Sequence, residues 1–297
     1  MNFIAFLVGL GIERLMSARL RIREPAWLLG YVRAALKGIA RYPATSMLVA
    51  VVAALAPGLV ATSLLALPPV AAHPVLRVLI ASVVLFFSLG PRDLKQEVNE
   101  YRAALADGDA ARAAALAAEI LGHDAGQRRG PPLGSVAAAV FVQANNRLFG
   151  VLFWFALAGP LGALTFRVTD LLRREAIVRA ERPDATPEAV RVGERCQRLH
   201  GVIAFVPARL LALSYGIAGS FEESFTGWRG YLAAESDHFF DANDRLLLHA
   251  GQGALGARWE GAANEQERAG AALALTEAAF YVWLAVFALL TIPAWIS

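Results

Sequence analysis

Residues Thr45 to Leu67 contain no charged side chain and no histidine, and this run constrains the chain more than any other feature. At 1.5 Å per residue a helix of that length covers about 30 Å, the thickness of a bilayer's hydrocarbon core. The composition agrees, with 57% hydrophobic and only 18% charged residues, where a soluble domain carries roughly 25% charged. Pro57-Gly58 lies in the middle of the run, where a kink is expected and where neighbouring helices can tolerate one. A turn rich in proline (Pro68, Pro69, Pro74) leads to a second span, Val75 to Gly90, whose Arg77 can snorkel to the headgroups. The two spans form a transmembrane hairpin over 45–90. Ala278 to Ser297 is a third uncharged span, with Tyr281, Trp283 and Trp295 as interface anchors.

The flanks give an orientation. Arg14, Arg19, Arg21, Arg23, Arg33, Lys37 and Arg41 precede the first span, whereas the turn Pro68 to Pro74 has no lysine or arginine. By the positive-inside rule the arm 1–44 is cytoplasmic, the turn is periplasmic, and the chain is back in the cytoplasm after Gly90. Asn2 to Gly11 is apolar but lacks a basic start and a small-residue cleavage pattern, so it is read as a retained membrane-embedded or interfacial helix. Residues 91–147 read as a cytoplasmic helical segment. Leu94 to Ala106 is a helix, Asp107-Gly108-Asp109 a turn, and Asp109 the N-cap of a helix from Ala110 to Leu121.

Residues 148–221 read as a membrane-embedded broken-helix region. Leu148 to Phe166 is uncharged, yet Arg147 stands at its entrance and Arg167, Arg173, Arg174, Arg179 and Arg182 follow its exit. Gly159-Pro160-Leu161-Gly162 occupies the centre, where proline removes a backbone bond and glycine permits a turn. A broken or re-entrant helix with both ends on the cytoplasmic side satisfies both facts. His200 to Phe221 is apolar but interrupted by Pro207 and Arg209; Asp170 is the expected partner of that arginine. Residues 222–277 are polar, with Phe221, Phe225, Trp228, Tyr231, Phe239 and Phe240 available for docking, and 278–297 is the C-terminal transmembrane helix. No strand pattern occurs. The fold expected is all-α: a polytopic helical integral membrane protein with kinked, broken or re-entrant helices and cytoplasmic helical segments.

Several functions are disfavoured. Cys196 is the single cysteine, so no intramolecular disulfide framework exists. His73, His123, His200, His238 and His249 lack metal-ligand spacing, and no metal is expected. Basic residues sit beside apolar spans, not on a nucleic-acid-binding face. Neither a P-loop, a nucleophile elbow nor an acid/base pair is visible, so no catalytic residue is assigned. The candidate ligand-binding groups are Asn145, Asn146 and Arg147, which can hold an anionic or sugar-like ligand or else cap the broken helix. Arg92 and Asp93 can take a phosphate or form a snorkelling pair. Asp170 with Arg209 is a candidate buried pair, and Glu13 with Arg14 a structural ion pair inside the bundle.

A set of short motifs occurs in a familiar order: Ile12-Glu13-Arg14-Leu15, Phe87 to Leu94, Ala144-Asn145-Asn146-Arg147-Leu148-Phe149, Val151 to Phe155, and Gly159 to Leu164 followed by Arg167 and Asp170. Val206-Pro207-Ala208-Arg209-Leu210 and Phe221 to Arg229 complete it. Across essentially the whole chain this order resembles the AmpE branch of the AmpE/CobD-CbiB superfamily. The resemblance implies a multi-pass protein of the bacterial inner membrane that modulates β-lactamase induction, and hence antibiotic resistance, alongside the peptidoglycan-recycling amidase AmpD. The expected partners are the lipid bilayer, a small anionic or muropeptide-like ligand and a protein of the AmpD pathway; the cofactor is left open.

The alternative is a membrane enzyme related to the CobD/CbiB type, which makes adenosylcobinamide phosphate by ATP-dependent ligation. Leu105 to Gly122, the Leu-Phe-Trp segment and Pro207-Ala208-Arg209-Leu210 resemble that branch too. Its acidic motifs are replaced here by Gly11-Ile12-Glu13-Arg14, by Gln143-Ala144-Asn145-Asn146-Arg147 and by Leu199-His200-Gly201-Val202-Ile203-Ala204. A ligase that activates a carboxylate with ATP needs acidic groups for Mg²⁺, so the regulatory reading is preferred at this stage.

Overall fold

The computed structural model describes residues 26–89, 93–121, 135–234 and 242–291. Every regular element among them is helical. In chain order these are α1 (Ala26–Arg41), a 3-10 turn (Pro43–Thr45), α2 (Ser46–Ala66), α3 (Pro68–Ala71), α4 (Pro74–Ser88), α5 (Leu94–Ala106), α6 (Ala110–Leu121) and α7 (Val136–Ala144). A π-helical turn (Asn145–Phe149) leads into α8 (Gly150–Ala180), then come α9 (Pro187–Ala218), α10 (Phe221–Ala234), α11 (Ala242–Leu255), α12 (Ala257–Glu260) and α13 (Glu265–Thr291). Pro43–Ala66, Val136–Ala180, Pro187–Ala218 and Glu265–Leu289 are apolar enough and long enough to cross a bilayer. The protein is an all-α polytopic membrane protein.

The chain divides into two compact units, Met1–Arg92 with Asn146–Ala204, and Asp93–Asn145 with Phe205–Ser297. In the first unit α2 is built inside-out. Its buried face is made of small residues, Ser46, Ala50, Ala53, Ala54, Gly58 and Ala61, while Leu48, Val52, Leu59, Val60 and Leu64 are exposed. Helices in lipid associate by close backbone packing, because lipid tails solvate leucine as well as protein does. α4 follows the same rule with Ala81, Ser82, Leu85 and Ser88 inside. It has 15 residues, about 22 Å, shorter than the expected span and than a full hydrocarbon core. α1 is amphipathic and buries Leu28, Val32, Leu36 and Ile39 against Ala50, Val168, Leu172 and Cys196.

In the second unit α5, α6 and the turn between them match the sequence reading. Gly108 supplies the positive φ of 71° that the turn needs, and Asp109 caps α6 by accepting from the Arg112 amide at 3.0 Å. α7 departs from the reading. All of its residues are buried, so the apolar stretch begins at Val136 and not at Leu148. The Asn-Asn-Arg interruption conceals that continuity in the sequence. The Glu265 carboxylate accepts from the Ala137 amide at 2.9 Å, and the Phe141 ring fills the space a side chain at Gly251 would need. α13 starts at Glu265, earlier than the expected Ala278; the residues after Thr291 lie outside the described set.

Candidate functional site

Two short segments in the first unit create the site, a chain reversal and the polar residues at its base. Gly159 adopts φ 61° and ψ −147° within α8, directly before Pro160. Only glycine takes that conformation readily, and proline cannot supply the amide that would continue the preceding turn. The chain therefore doubles back. A Cβ on Gly162 would lie 2.8 Å from the carbonyl carbon of Trp154, and one on Gly150 would run into the Phe166 ring. Both pairs are centred on Ala158, next to the turn, as two antiparallel arms require. In a straight helix Gly150 and Phe166 would stand about 24 Å apart.

From Gly159 the chain runs about 16 Å back to Leu148 and about 10 Å on to Phe166, and the first arm continues through the π-helical turn into the apolar α7. The tip of the hairpin meets the interior of α2, where a Cβ on Gly58 would lie 2.7 Å from the Leu161 carbonyl oxygen. The Trp154 indole N–H donates to the Ile203 carbonyl at 3.1 Å, tying the first arm to α9. Gly159 itself is buried, whereas Ala156, Leu157 and Ala158 just before it are exposed.

At the mouth of the hairpin the polar groups converge. Asp170, fully buried, accepts from Arg167 Nη1 at 3.2 Å, Arg173 Nη2 at 3.1 Å and Arg174 Nε at 2.9 Å. The spacings i−3, i+3 and i+4 place all four side chains on one helix face. Beside them Thr169 Oγ1 stands 3.2 Å from His200 Nδ1, and His200 Nε2 stands 3.3 Å from Asn146 Oδ1. A neutral ring protonated on Nε2 donates to Asn146 and leaves Nδ1 to accept from Thr169. Thr169 is also within 2.8 Å of the Phe166 carbonyl, so its one proton has two acceptors to choose between. Arg147, next to Asn146 on the π-helical turn, is buried as well. π turns inside helices are frequent at functional sites.

Three guanidiniums gathered on one carboxylate in a water-poor setting leave net positive charge, and guanidinium is the group of choice for phosphate or carboxylate. The centre does not fit Mg²⁺. Its carboxylate, Asp170, is already shared among three arginines, and no step through the metal is derived there.

The sequence candidates separate accordingly. Asn146 meets His200 and Asp170 holds the three arginines, while Arg147 is buried on the adjoining π-helical turn. Asn145 is buried on the same π-helical turn but falls in the second unit. Asp93 caps α5, accepting from the Lys95 amide at 3.0 Å. Arg92, Glu13 and Arg14 lie outside the described residues. Asp170 and Arg209, paired in the sequence reading, fall in different units. Asp170 is satisfied by its own helix, and Arg209 donates to the Phe205 carbonyl and to Asn243 Oδ1, each at 2.9 Å. Its guanidinium also stacks over the Phe205 ring, 3.3 Å from the centroid. Arg167 and Arg173 were read only as cytoplasmic flank charges; both are buried. Their i±3 spacing about Asp170 was the available signal. Thr169 and His200 had none, because a fold contact between distant helices joins them.

The fold and this centre define a helical membrane protein with a chain reversal at Gly159-Pro160 and a buried arginine cluster on Asp170. The chain belongs to the CobD/CbiB protein family, whose profile, described as CobD/Cbib protein, matches residues 6–279. A cobalamin biosynthesis protein CobD of Chromobacterium violaceum is 28% identical over 278 residues, covering 89% of this chain and 83% of that protein. Another, from Stutzerimonas stutzeri, is 28% identical over 182 residues, 61% of this chain and 57% of that protein. No solved structure matches.

Proposed function

We propose that this chain is a membrane protein of the CobD/CbiB type that takes part in cobalamin biosynthesis, holding a phosphate-bearing substrate at the arginine-rich mouth of the hairpin. The observation that carries this reading is a likeness to a protein named for cobalamin biosynthesis along 89% of the chain. The chemistry envisaged is ligase-like, altered from the family's usual form because Asn146 and Arg147 stand where that branch has carboxylates. Arg147, Arg167, Arg173 and Arg174 would bind and orient the anion; Asp170 would hold three of them in place. The bacterial inner membrane, with the hairpin mouth on the cytoplasmic side, follows from the basic flanks.

A second reading is the AmpE branch, a regulator of β-lactamase induction that binds a cell-wall-derived anion at the same centre. Two features favour it: the full commitment of Asp170 to arginines, and the amide and guanidinium groups at positions 145–147. One experiment separates the two. The chain is expressed in a bacterium lacking its own CobD/CbiB protein and grown where cobalamin synthesis is required. Restored growth is the expected result. No restoration, with the protein present in the membrane at normal level, overturns the cobalamin reading. A changed β-lactamase induction in the chain's own deletion strain would then support the regulator.

A further inference from the structure

Two helices long and apolar enough to cross a bilayer carry a proline within a continuous helical run, Pro57 in α2 and Pro207 in α9. Proline has no amide hydrogen, so each leaves the carbonyl four residues earlier without its helical donor. Those carbonyls belong to Ala53 and Ile203. At membrane depth no water is at hand, and a freed carbonyl must find a donor from a neighbouring element. Both are taken by an aromatic side chain of another helix. The Tyr31 hydroxyl of α1 donates to the Ala53 carbonyl at 2.7 Å, and the Trp154 indole N–H of α8 donates to the Ile203 carbonyl at 3.1 Å. Pro160 of α8 differs, since it stands at the chain reversal where the helical ladder is already broken.

A side-chain donor aimed at a helix gains most at a carbonyl that its own helix leaves empty; elsewhere it only shares an acceptor already in use. Tyr31 and Trp154 both reach such a carbonyl. The Trp154 bond bears on the candidate site, because Ile203 lies one turn beyond His200 on α9. His200 meets Asn146 and Thr169, one on either side of the chain reversal. The first arm therefore touches α9 at two places, Asn146 with His200 and Trp154 with Ile203. A single contact leaves a helix free to turn or slide about it, whereas two fix its register.

We propose that Trp154 is a positioning residue: its indole fills the acceptor that Pro207 frees and so sets the register of His200 against the hairpin. Tyr31 fixes α1 at the Pro57 kink in the same way. The test is a double-mutant cycle on the detergent-solubilised full chain, read as melting temperature. Trp154→Phe keeps an aromatic ring and removes the N–H. It should lower the melting temperature by roughly 2–5 °C, the effect of an empty buried acceptor in a chain of 297 residues. Pro207→Ala gives Ile203 a main-chain donor again, so in that background the shift should fall to about half or less. In the Pro57→Ala background the Trp154→Phe shift should persist in full, while that of Tyr31→Phe should shrink.

A second readout separates positioning from mere satisfaction of the carbonyl. The His200 ring resonances, assigned by their loss in His200→Gln, should move on Trp154→Phe with either Pro207 or Pro207→Ala, because the tie to the hairpin is missing in both. Equal Trp154→Phe shifts in the Pro207→Ala and Pro57→Ala backgrounds would overturn the role of the freed acceptor. An unmoved His200 signal would overturn the positioning role. If Trp154→Phe does not fold, recovery by Pro207→Ala and not by Pro57→Ala makes the same distinction. None of these readouts depends on cobalamin-dependent growth, so either conclusion can fail without the other.

Discussion

Replacing Gly162 by alanine tests the chain reversal on which the candidate site depends. The added Cβ would lie 2.8 Å from the backbone carbonyl carbon of Trp154 and 3.0 Å from Ala158 Cβ. Ordinary contact begins at 3.4 Å, so the arms must part by ~0.6 Å or more, and the obstacle is main chain that cannot rotate away. Overpacking of this kind costs about 1–3 kcal/mol, partly offset by up to ~1 kcal/mol from alanine's better helix propensity. A net loss near 2 kcal/mol is expected, since rigid backbone places the cost at the upper end. For a chain of 297 residues that lowers the melting temperature by roughly 3 °C. Cys196, the single cysteine, is buried, so a thiol-reactive dye reports its exposure as the detergent-solubilised protein unfolds. Gly30→Ala is the control: nothing lies within 4 Å of the added atom, and a gain of up to about 1 kcal/mol is expected. A Gly162→Ala protein as stable as wild type would refute the antiparallel packing of the two arms.

Asp170→Asn removes the charge that three buried guanidiniums share, at a cost of about 3–5 kcal/mol. The same dye assay should show the larger shift of the two, and an unchanged melting temperature would mean that the arginines find their compensation elsewhere. Arg209→Met keeps the long apolar stem but removes the ring stacking and the bonds to Phe205 and Asn243. A loss of roughly 2 kcal/mol is expected. Asp170 and Arg209 belong to different units and bond to separate described residues, so the double variant should lose the sum of the two single effects; a strong coupling would restore the pairing that the sequence suggested.

The sequence alone determined the medium and the element type. Uncharged runs such as 45–67 have one low-energy environment, since a helix without a polar face must be solvated by lipid or protein on every side. The chain reversal at Gly159-Pro160 was equally legible, because glycine and proline act on their own backbone. Local caps were legible for the same reason, as with Asp109 on α6.

What lay beyond the sequence depended on distance along the chain. His200 meets Asn146 and Thr169 only because α9 packs against both arms of the hairpin. Arg209 meets Asn243, 34 residues further along the chain, because packing within the second unit brings their helices together. Side-chain chemistry fixes what a residue can do within its own turn of helix; tertiary packing fixes which distant groups it does it with.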